Sequence, residues 1–347
     1  MRVAVLGGGI AGLAAAIDLA EGGGDVVLIE AGDRFGGQVR TTRERGFLIE
    51  EGADGFGPDQ PTVRALLRDL HLDDEIIRPD RLTALVLEAP GDLRAVPVPA
   101  TTVPPTTLRS GMATLINGMT RRLERKADLR IGNAVVAVTR TRPGWTVYPE
   151  LGAALVVDAV VLAVPARPAA WLIHPLSPQI GRVLASLGTR AVVTVVAAYP
   201  KPAVRHSLTA SGFSVPRAES GDGVELCEFV SSVLPGRAPP DWALLRTVMR
   251  PARGELVGTT DEGWAEVVHE ILRPVLGLQQ PPGAVWVARW ADAMPVVDDR
   301  YASRVAEART GLRALGRIEL AGAAYDGQGL DAALQSGRAA ARRLLAT

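Results

Sequence analysis

The tightest constraint on this chain lies in its first thirty residues. Arg2 to Leu6 is a short aliphatic and β-branched run that stops on Gly7, Gly8, Gly9 and Gly12, in the spacing G-x-G-x-x-G. A continuous apolar run ended by glycine reads as a buried parallel strand entering a tight turn. Residues 10–21, IAGLAAAIDLAE, then favour a helix, with Leu13, Ile17 and Ala20 on one face and Gly22 to Gly24 stopping it. A second strand, Asp25 to Ile29, delivers Glu30. In that order these parts make one device. The glycines let the backbone approach a pyrophosphate, the helix start offers free N–H groups and a positive dipole end, and an acid about 20 residues on accepts ribose hydroxyls. Gly7, Gly8, Gly9, Ile10, Ala11, Gly12, Glu30 and Ala31 are therefore expected to bind a dinucleotide. The alternative is an accidental glycine-rich turn.

The next segment bears on which dinucleotide. After Glu30 come Arg34, the pair Gly36 and Gly37, Gln38 and Arg40, where a nicotinamide dehydrogenase usually begins its next helix. A second glycine pair beside two arginines suits close approach to a further stretch of cofactor, which favours FAD over NAD. A Gly-Gly hairpin with solvated arginines is the bland reading.

Composition narrows the remaining classes. With 347 residues there is room for two domains. Lysine plus arginine and aspartate plus glutamate each total 38, so no global basic field exists to collect nucleic acid or acidic lipid. The single Cys227 can form no internal disulfide and no thiolate metal site, and the chain reads as intracellular and cytoplasmic. Apolar stretches such as Ala153 to Ala163 carry an Asp or Pro within a few residues, short of the roughly 20 needed for a membrane span. The start, RVAVLGGG, lacks the basic and long apolar regions of a signal peptide. His71, His174, His206 and His269 are scattered, no metal constellation stands out, and they read as structural.

Three blocks resemble the flavin-containing amine oxidases, and within them the protoporphyrinogen and coproporphyrinogen oxidases: Val3 to Phe56, Ser110 to Arg140 with Asp158 to Ala166 behind it, and Ala288 to Leu345. The resemblance implies a glutathione-reductase-type Rossmann FAD-binding domain joined to a mixed-sheet substrate domain, an α/β, two-domain architecture. It implies FAD-binding segments at 1–77, 110–168 and 313–347, a substrate-domain strand and Pro-rich strap at 78–109, and the substrate domain proper at 169–312. It places Arg34, Gly37 and Gln38 along the pyrophosphate and ribityl chain. Gly52, Ala53, Asp54 and Gly55 pass near the flavin, Val135 meets the adenine through its backbone, and Ala323, Gln328, Gly329 and Leu330 close the site. The residue pattern agrees at that last point: Gly327 and Gly329 precede Ala333, Leu334, Gly337, Ala341 and Leu345, so a helix starts with its N-terminus free to face a ligand. A terminal packing helix is the plain alternative.

The chain departs from this family between Arg78 and Ser110, where the porphyrinogen oxidases open into a long helical domain. Here the sequence offers a strand at Leu82 to Leu87, a turn at Pro90-Gly91, and a stretch with Pro97, Pro99, Pro104 and Pro105 that cannot be helical. The arginine that pairs with a substrate propionate in the family aligns with Ala84 or Leu85, with Arg81 the nearest substitute. Lys126 and Lys201 both fit the amine oxidases' flavin-side lysine poorly. The family's covalent attachment through a Cys near the last helix has no counterpart, because Cys227 lies in the substrate domain, so FAD is expected to be noncovalent.

The middle of the chain predicts strands at Ala191 to Tyr199, Glu225 to Val233 and Leu244 to Met249, and helices at Pro178 to Leu187 and Asp261 to Leu276. The loop Pro235 to Pro240 reads as scaffold. Tyr325, and Trp290 with Met294, are the candidates for a substrate wall, with core packing as the alternative. Together these readings point to an FAD-dependent oxidase or dehydrogenase that takes a hydride from a C–N or C–C single bond of a small metabolite, with O2 or another acceptor. A porphyrinogen oxidase and a non-catalytic flavin-binding protein are the rival readings.

Overall fold

The computed structural model describes residues 1–57, 59–79, 84–89, 92–96, 106–142, 144–215 and 223–346. Arg81, the Pro90-Gly91 turn and the strap prolines Pro97, Pro99, Pro104 and Pro105 lie outside them.

Strand β1 (Arg2–Leu6) is the centre of a five-stranded parallel sheet, with β2 (Asp25–Ile29) and Ala127–Arg130 on one side and Ala159–Leu162 and Ile318–Leu320 on the other. Its residues alternate between two cores. Val3 and Val5 face α1 (Ile10–Glu21), Ala113–Leu123 and the terminal helix Leu330–Leu345, whereas Ala4 and Leu6 face a three-stranded meander and the helices Ala166–Ile173, Pro178–Ala185 and Tyr301–Leu315. A strand covered on both faces reads as one apolar run, which is why β1 and β2 carry no polar alternation. The helix Pro178–Ala185 and all but the last turn of Tyr301–Leu315 fall in the range 169–312 expected of the substrate domain, yet their apolar faces belong to the parallel sheet's outer core.

The second sheet has seven strands, in the order Ala284–Pro295, Thr189–Pro200, Trp242–Met249, Val224–Glu228, Gly212–Ser214, Ala84–Ala89, Asp92–Val96. Its pairings are antiparallel except Phe213–Ser214 against Leu85–Val86, so the sheet is mixed. Val193, Val195, Ala197 and Tyr199 point to a core covered by the helix Asp261–Leu276, which is opened by Thr260 Oγ1 accepting the Gly263 N–H and closed by left-handed Gly277. Val196 and Ala198 point the other way, onto Phe47 and Ile49. The strand expected over Glu225 to Val233 ends at Glu228, and Val230–Val233 is a helical turn instead. There the Leu244 N–H is taken by Ser231 Oγ rather than by a strand carbonyl. In the region expected to be a strand and a strap, the described residues form the hairpin Ala84–Ala89 and Asp92–Val96 at the sheet edge.

Strands β3 (Thr41–Glu44) and β4 (Phe47–Glu50) form a hairpin whose two turn residues, Arg45 and Gly46, both have positive φ, at 50° and 83°. That turn matches the twist of the paired strands. All four residues of β4 are buried, because this hairpin packs on the seven-stranded sheet through Phe47 and Ile49 and is bonded to Met112 and Ala113 of the dinucleotide domain through Glu50 and Thr41.

Candidate functional site

The dinucleotide cradle is built by close backbone contact. A Cβ on Gly12 would sit 1.8 Å from Gly7 O, and one on Gly7 would sit 2.5 Å from Ala163 O, so glycine is the residue that lets the turn fold back on α1 and the neighbouring strand. Gly36 donates to Gly8 O at 2.8 Å, and a Cβ on Gly37 would lie 3.2 Å from the Gly9 Cα, which brings the two glycine segments edge to edge. The helix α1 starts at Gly9 with no side-chain cap, so its first N–H groups and dipole face the cleft. Glu30 directly follows β2, its carboxylate accepting the Gly8 N–H at 2.6 Å and the Gly32 N–H at 2.7 Å. The chain before Val135 is tied to the same point, Asn133 N donating to Glu30 O. Arg34 donates to the carbonyls of Phe35, Gly37 and Val39, stapling the second glycine loop, and burial holds its pKa below the usual arginine range.

From this cradle the cleft continues to the junction of the sheets. Ala53 N donates to Gln38 O, and the Gln38 side chain donates to Ala293 O at 2.9 Å. A Cβ on Gly52 would meet Gln38 O at 1.9 Å and the Trp290 ring at 3.0 Å. Gly329 starts the terminal helix with φ of 93° and open space where a Cβ would point. Gly327, Gln328 and Gly329 thus leave a bare helix N-terminus, the geometry that stabilises an anionic reduced flavin ring. These features fit FAD. The two glycine segments and α1 would hold the pyrophosphate, Glu30 and Ala31 the ribose, Gly52 to Gly55 the flavin side, and Ala323 with Gln328 to Leu330 the far end.

Beside Asp54 the hairpin and the second sheet line a partly open chamber of about 290 Å³. Its walls are apolar, including Leu48, Ile49, Leu85, Phe213, Leu226 and Leu244, and it also carries Glu50, Asp54, Glu228, Arg237 and Arg246. Arg246 is 7% exposed, and its Nε donates to Glu50 O at 3.1 Å, its Nη2 to Gly52 O and its Nη1 to Glu228 Oε2, with Asp54 Oδ2 at 3.6 Å. Burial works against its charge, and the carboxylates of Asp54 and Glu228 more than offset that, so its pKa is raised. Burial and the repelling Asp54 carboxylate push Glu228 up to about 7 against the opposing pull of Arg246. At the other end Arg237, 1% exposed, donates to Glu50 Oε1 at 3.0 Å and to Leu108 O at 2.9 Å. Burial raises Glu50 and lowers Arg237 towards their neutral forms, each opposed by the other's charge.

The wall residues expected from sequence lie elsewhere. Tyr325 is 3% exposed and donates to Val164 O at 2.9 Å inside the parallel sheet's outer core, where burial raises its pKa, so it packs rather than lines the chamber. Trp290 donates to Glu51 O at 2.9 Å and lies against Gly52, and Met294 continues the same strand, so both are outside the chamber lining. The loop Pro235 to Pro240, read as scaffold, carries the Arg237 guanidinium into the chamber lining. The sequence did carry a signal for the polar set: Glu50, Glu228 and Arg246 each interrupt an apolar strand, as in Phe-Leu-Ile-Glu50 and Ala-Leu-Leu-Arg246-Thr-Val. Among the described residues no cluster of His, Cys, Asp and Glu suits a metal, and no helix is long and apolar enough to cross a membrane.

A split parallel-sheet dinucleotide domain that shares a chamber with a mixed sheet defines a flavin-dependent oxidoreductase fold. Residues 10–108 and 85–345 match the flavin containing amine oxidoreductase family, and the chain belongs to it. Its cofactor is FAD. A coproporphyrinogen III oxidase of Bacillus subtilis (strain 168) is 25% identical over 236 residues, 67% of this chain and 49% of that protein. The chain spans about half the length of that relative and of several other curated coproporphyrinogen III oxidases it matches. Among solved structures, a candidate protoporphyrinogen oxidase of Exiguobacterium sp. 255-15 superposes with a TM-score of 0.86 at 22% identity, covering 99% of this chain and 98% of that one. Cyclohexylamine oxidase from Brevibacterium oxydans IH-35A does so with a TM-score of 0.74 at 15% identity, over 99% and 98%. Both share the fold.

Proposed function

We propose that this flavoprotein removes a hydride from a C–N or C–C single bond of a metabolite smaller than a porphyrinogen, as a biosynthetic tailoring enzyme. The observation that carries the reading is the chamber of about 290 Å³ against Asp54, at the low end of the range for small-molecule sites. A tetrapyrrole with its carboxylate arms would extend beyond these walls through the chamber's open side. When bound, FAD supplies the hydride acceptor, and O2 or another acceptor reoxidises it. The chain's own part is to hold the substrate body between Leu48, Leu85, Phe213 and Leu244, exclude water, and set the charge at one end through Arg246 and its carboxylates. FAD is held noncovalently in this reading: the only cysteine, Cys227, is buried in the second sheet with its thiol pushed up to about 12 by burial.

The names of the curated relatives favour a second reading, a coproporphyrinogen or protoporphyrinogen oxidase. Anaerobic titration of the FAD-loaded protein separates them. Bleaching of the flavin by small amines or amino acids, with none by coproporphyrinogen III, is the expected result. Turnover of a porphyrinogen at catalytic rates would replace the first reading with the second, and reduction by dithionite alone would leave a binding protein.

A further inference from the structure

We propose that Glu228, which shares Arg246 with Asp54 at the polar end of the chamber, takes up the proton released when a substrate is oxidised there. The inference rests on the reading of the chamber as the oxidation site and adds the destination of the proton.

Two-electron oxidation of an H–C–N–H or H–C–C–H unit breaks two bonds to hydrogen. One C–H electron pair leaves with hydrogen as hydride to the flavin. The second bond breaks heterolytically, its electrons form the new π bond, and its proton needs an acceptor. The chamber offers three carboxylates. Glu50 is engaged on both oxygens, Oε1 by Met112 N and Arg237 and Oε2 by Thr41 Oγ1, and is walled into the domain junction. Asp54 and Glu228 flank one guanidinium nitrogen, Arg246 Nη1. Arg246 is itself locked to the carbonyls of Glu50 and Gly52, which fixes Glu228 in register with the flavin-side segment. The charged groups around Glu228 are Asp54 from that segment, Arg246 from the adjacent strand, and Glu50 and Arg237 across the chamber. An acceptor works best when its proton affinity lies near the operating pH, and burial beside Asp54 brings Glu228 to about 7.

Infrared pH titration of the FAD-loaded protein tests the protonation directly. The neutral-carboxyl C=O band is expected to vanish with a midpoint near 7, to be missing in Glu228→Gln, and to shift to lower pH in Asp54→Asn, which removes the repelling carboxylate. Stopped-flow anaerobic reduction, with benzylamine as probe, tests the role. The rate is expected to rise through the same midpoint, to fall about 100-fold or more with loss of that midpoint in Glu228→Gln, and to recover in part in Glu228→Asp. Retained flavin content and circular dichroism exclude misfolding, and Asp54→Asn keeps the test valid if Glu228→Gln does not fold. A wild-type protein with no carboxyl titrating above the ordinary range, or a Glu228→Gln variant with wild-type rate and pH profile, overturns the assignment to Glu228 alone. A wild-type flavin that no small amine reduces overturns the oxidation reading as well, even where the carboxyl still titrates.

Discussion

A methyl group on Gly52 would fall 1.9 Å from Gln38 O and 3.0 Å from the Trp290 ring, so the residue spacing at this point is decided by backbone rather than by side chains. Gly52→Ala is expected to push Gln38 and Trp290 apart and lose FAD on gel filtration, with a lowered thermal midpoint in the apoprotein. Trp290→Phe keeps the ring contact and removes the indole N–H bond to Glu51 O. It is expected to cost about 1 kcal/mol in denaturant unfolding and to retain flavin. A wall residue would behave in the opposite way, leaving stability unchanged and altering substrate reduction. Arg237 is the residue whose importance sequence pattern hides most. It sits in a Pro-Gly-Arg-Ala-Pro-Pro segment that has every mark of a surface turn, yet its side chain is 2% exposed against Glu50. Arg237→Met leaves Glu50 buried without its partner, and a loss of about 3–5 kcal/mol is expected, with part of it recovered in the Glu50→Gln, Arg237→Met double variant.

Among the elements, the packing of α1 on the terminal helix turns on one glycine. A Cβ on Gly337 would lie 2.0 Å from Ala11 O, so the helices approach with backbone against backbone at this contact. Gly337→Ala is expected to separate them and weaken the cofactor cradle, because Ala11 belongs to the first turn of α1. Gly254, in the helix Arg253–Gly258, has open space around its Cβ direction, and Gly254→Ala is expected to be neutral or to stabilise by up to about 1 kcal/mol. Thermal unfolding of the pair distinguishes a steric role from mere helix propensity. Element identity was well marked in sequence where a segment carries its own stop signals: Asp261–Leu276 has Thr260 ahead of it and Gly277 behind it. It was poorly marked at Glu225 to Val233, where Leu226, Cys227, Phe229, Val230 and Val233 suit a strand and no glycine or proline stops it. The turn at Val230–Val233 comes from a tertiary bond, the Leu244 N–H to Ser231 Oγ, which no local pattern encodes.

Across the whole molecule, the buried carboxylates tie stability to pH. Glu228 is pushed from the ordinary glutamate value of 4.5 up to about 7, first by burial and then by Asp54, and Glu50 is raised by burial. Between those values the unfolded chain has released the Glu228 proton while the folded chain still holds it, so this group's contribution to stability is fullest below the unfolded value and declines as pH rises through the folded one. Denaturant unfolding of the apoprotein between about pH 5 and about pH 8 is expected to show stability falling with pH, with a flatter slope in Glu228→Gln. An unchanged slope in that variant would mean Glu228 ionises normally in the folded protein. The parallel sheet, the two glycine segments and Glu30 follow from the sequence itself, because a dinucleotide cradle is made by local backbone: strand, turn and helix within one short stretch, each part marked by glycine and by buried runs. The chamber is of another kind. Glu50, Asp54, Glu228, Arg237 and Arg246 come from four separated segments of the chain and meet only when the hairpin of β3 and β4 packs onto the seven-stranded sheet. Their charges look like isolated interruptions of apolar strands until long-range packing removes them from water and forces them to pair. Sequence determined what this protein holds, since that depends on local backbone; tertiary structure alone decided where its charges meet, since burial and pairing are properties of the assembled core.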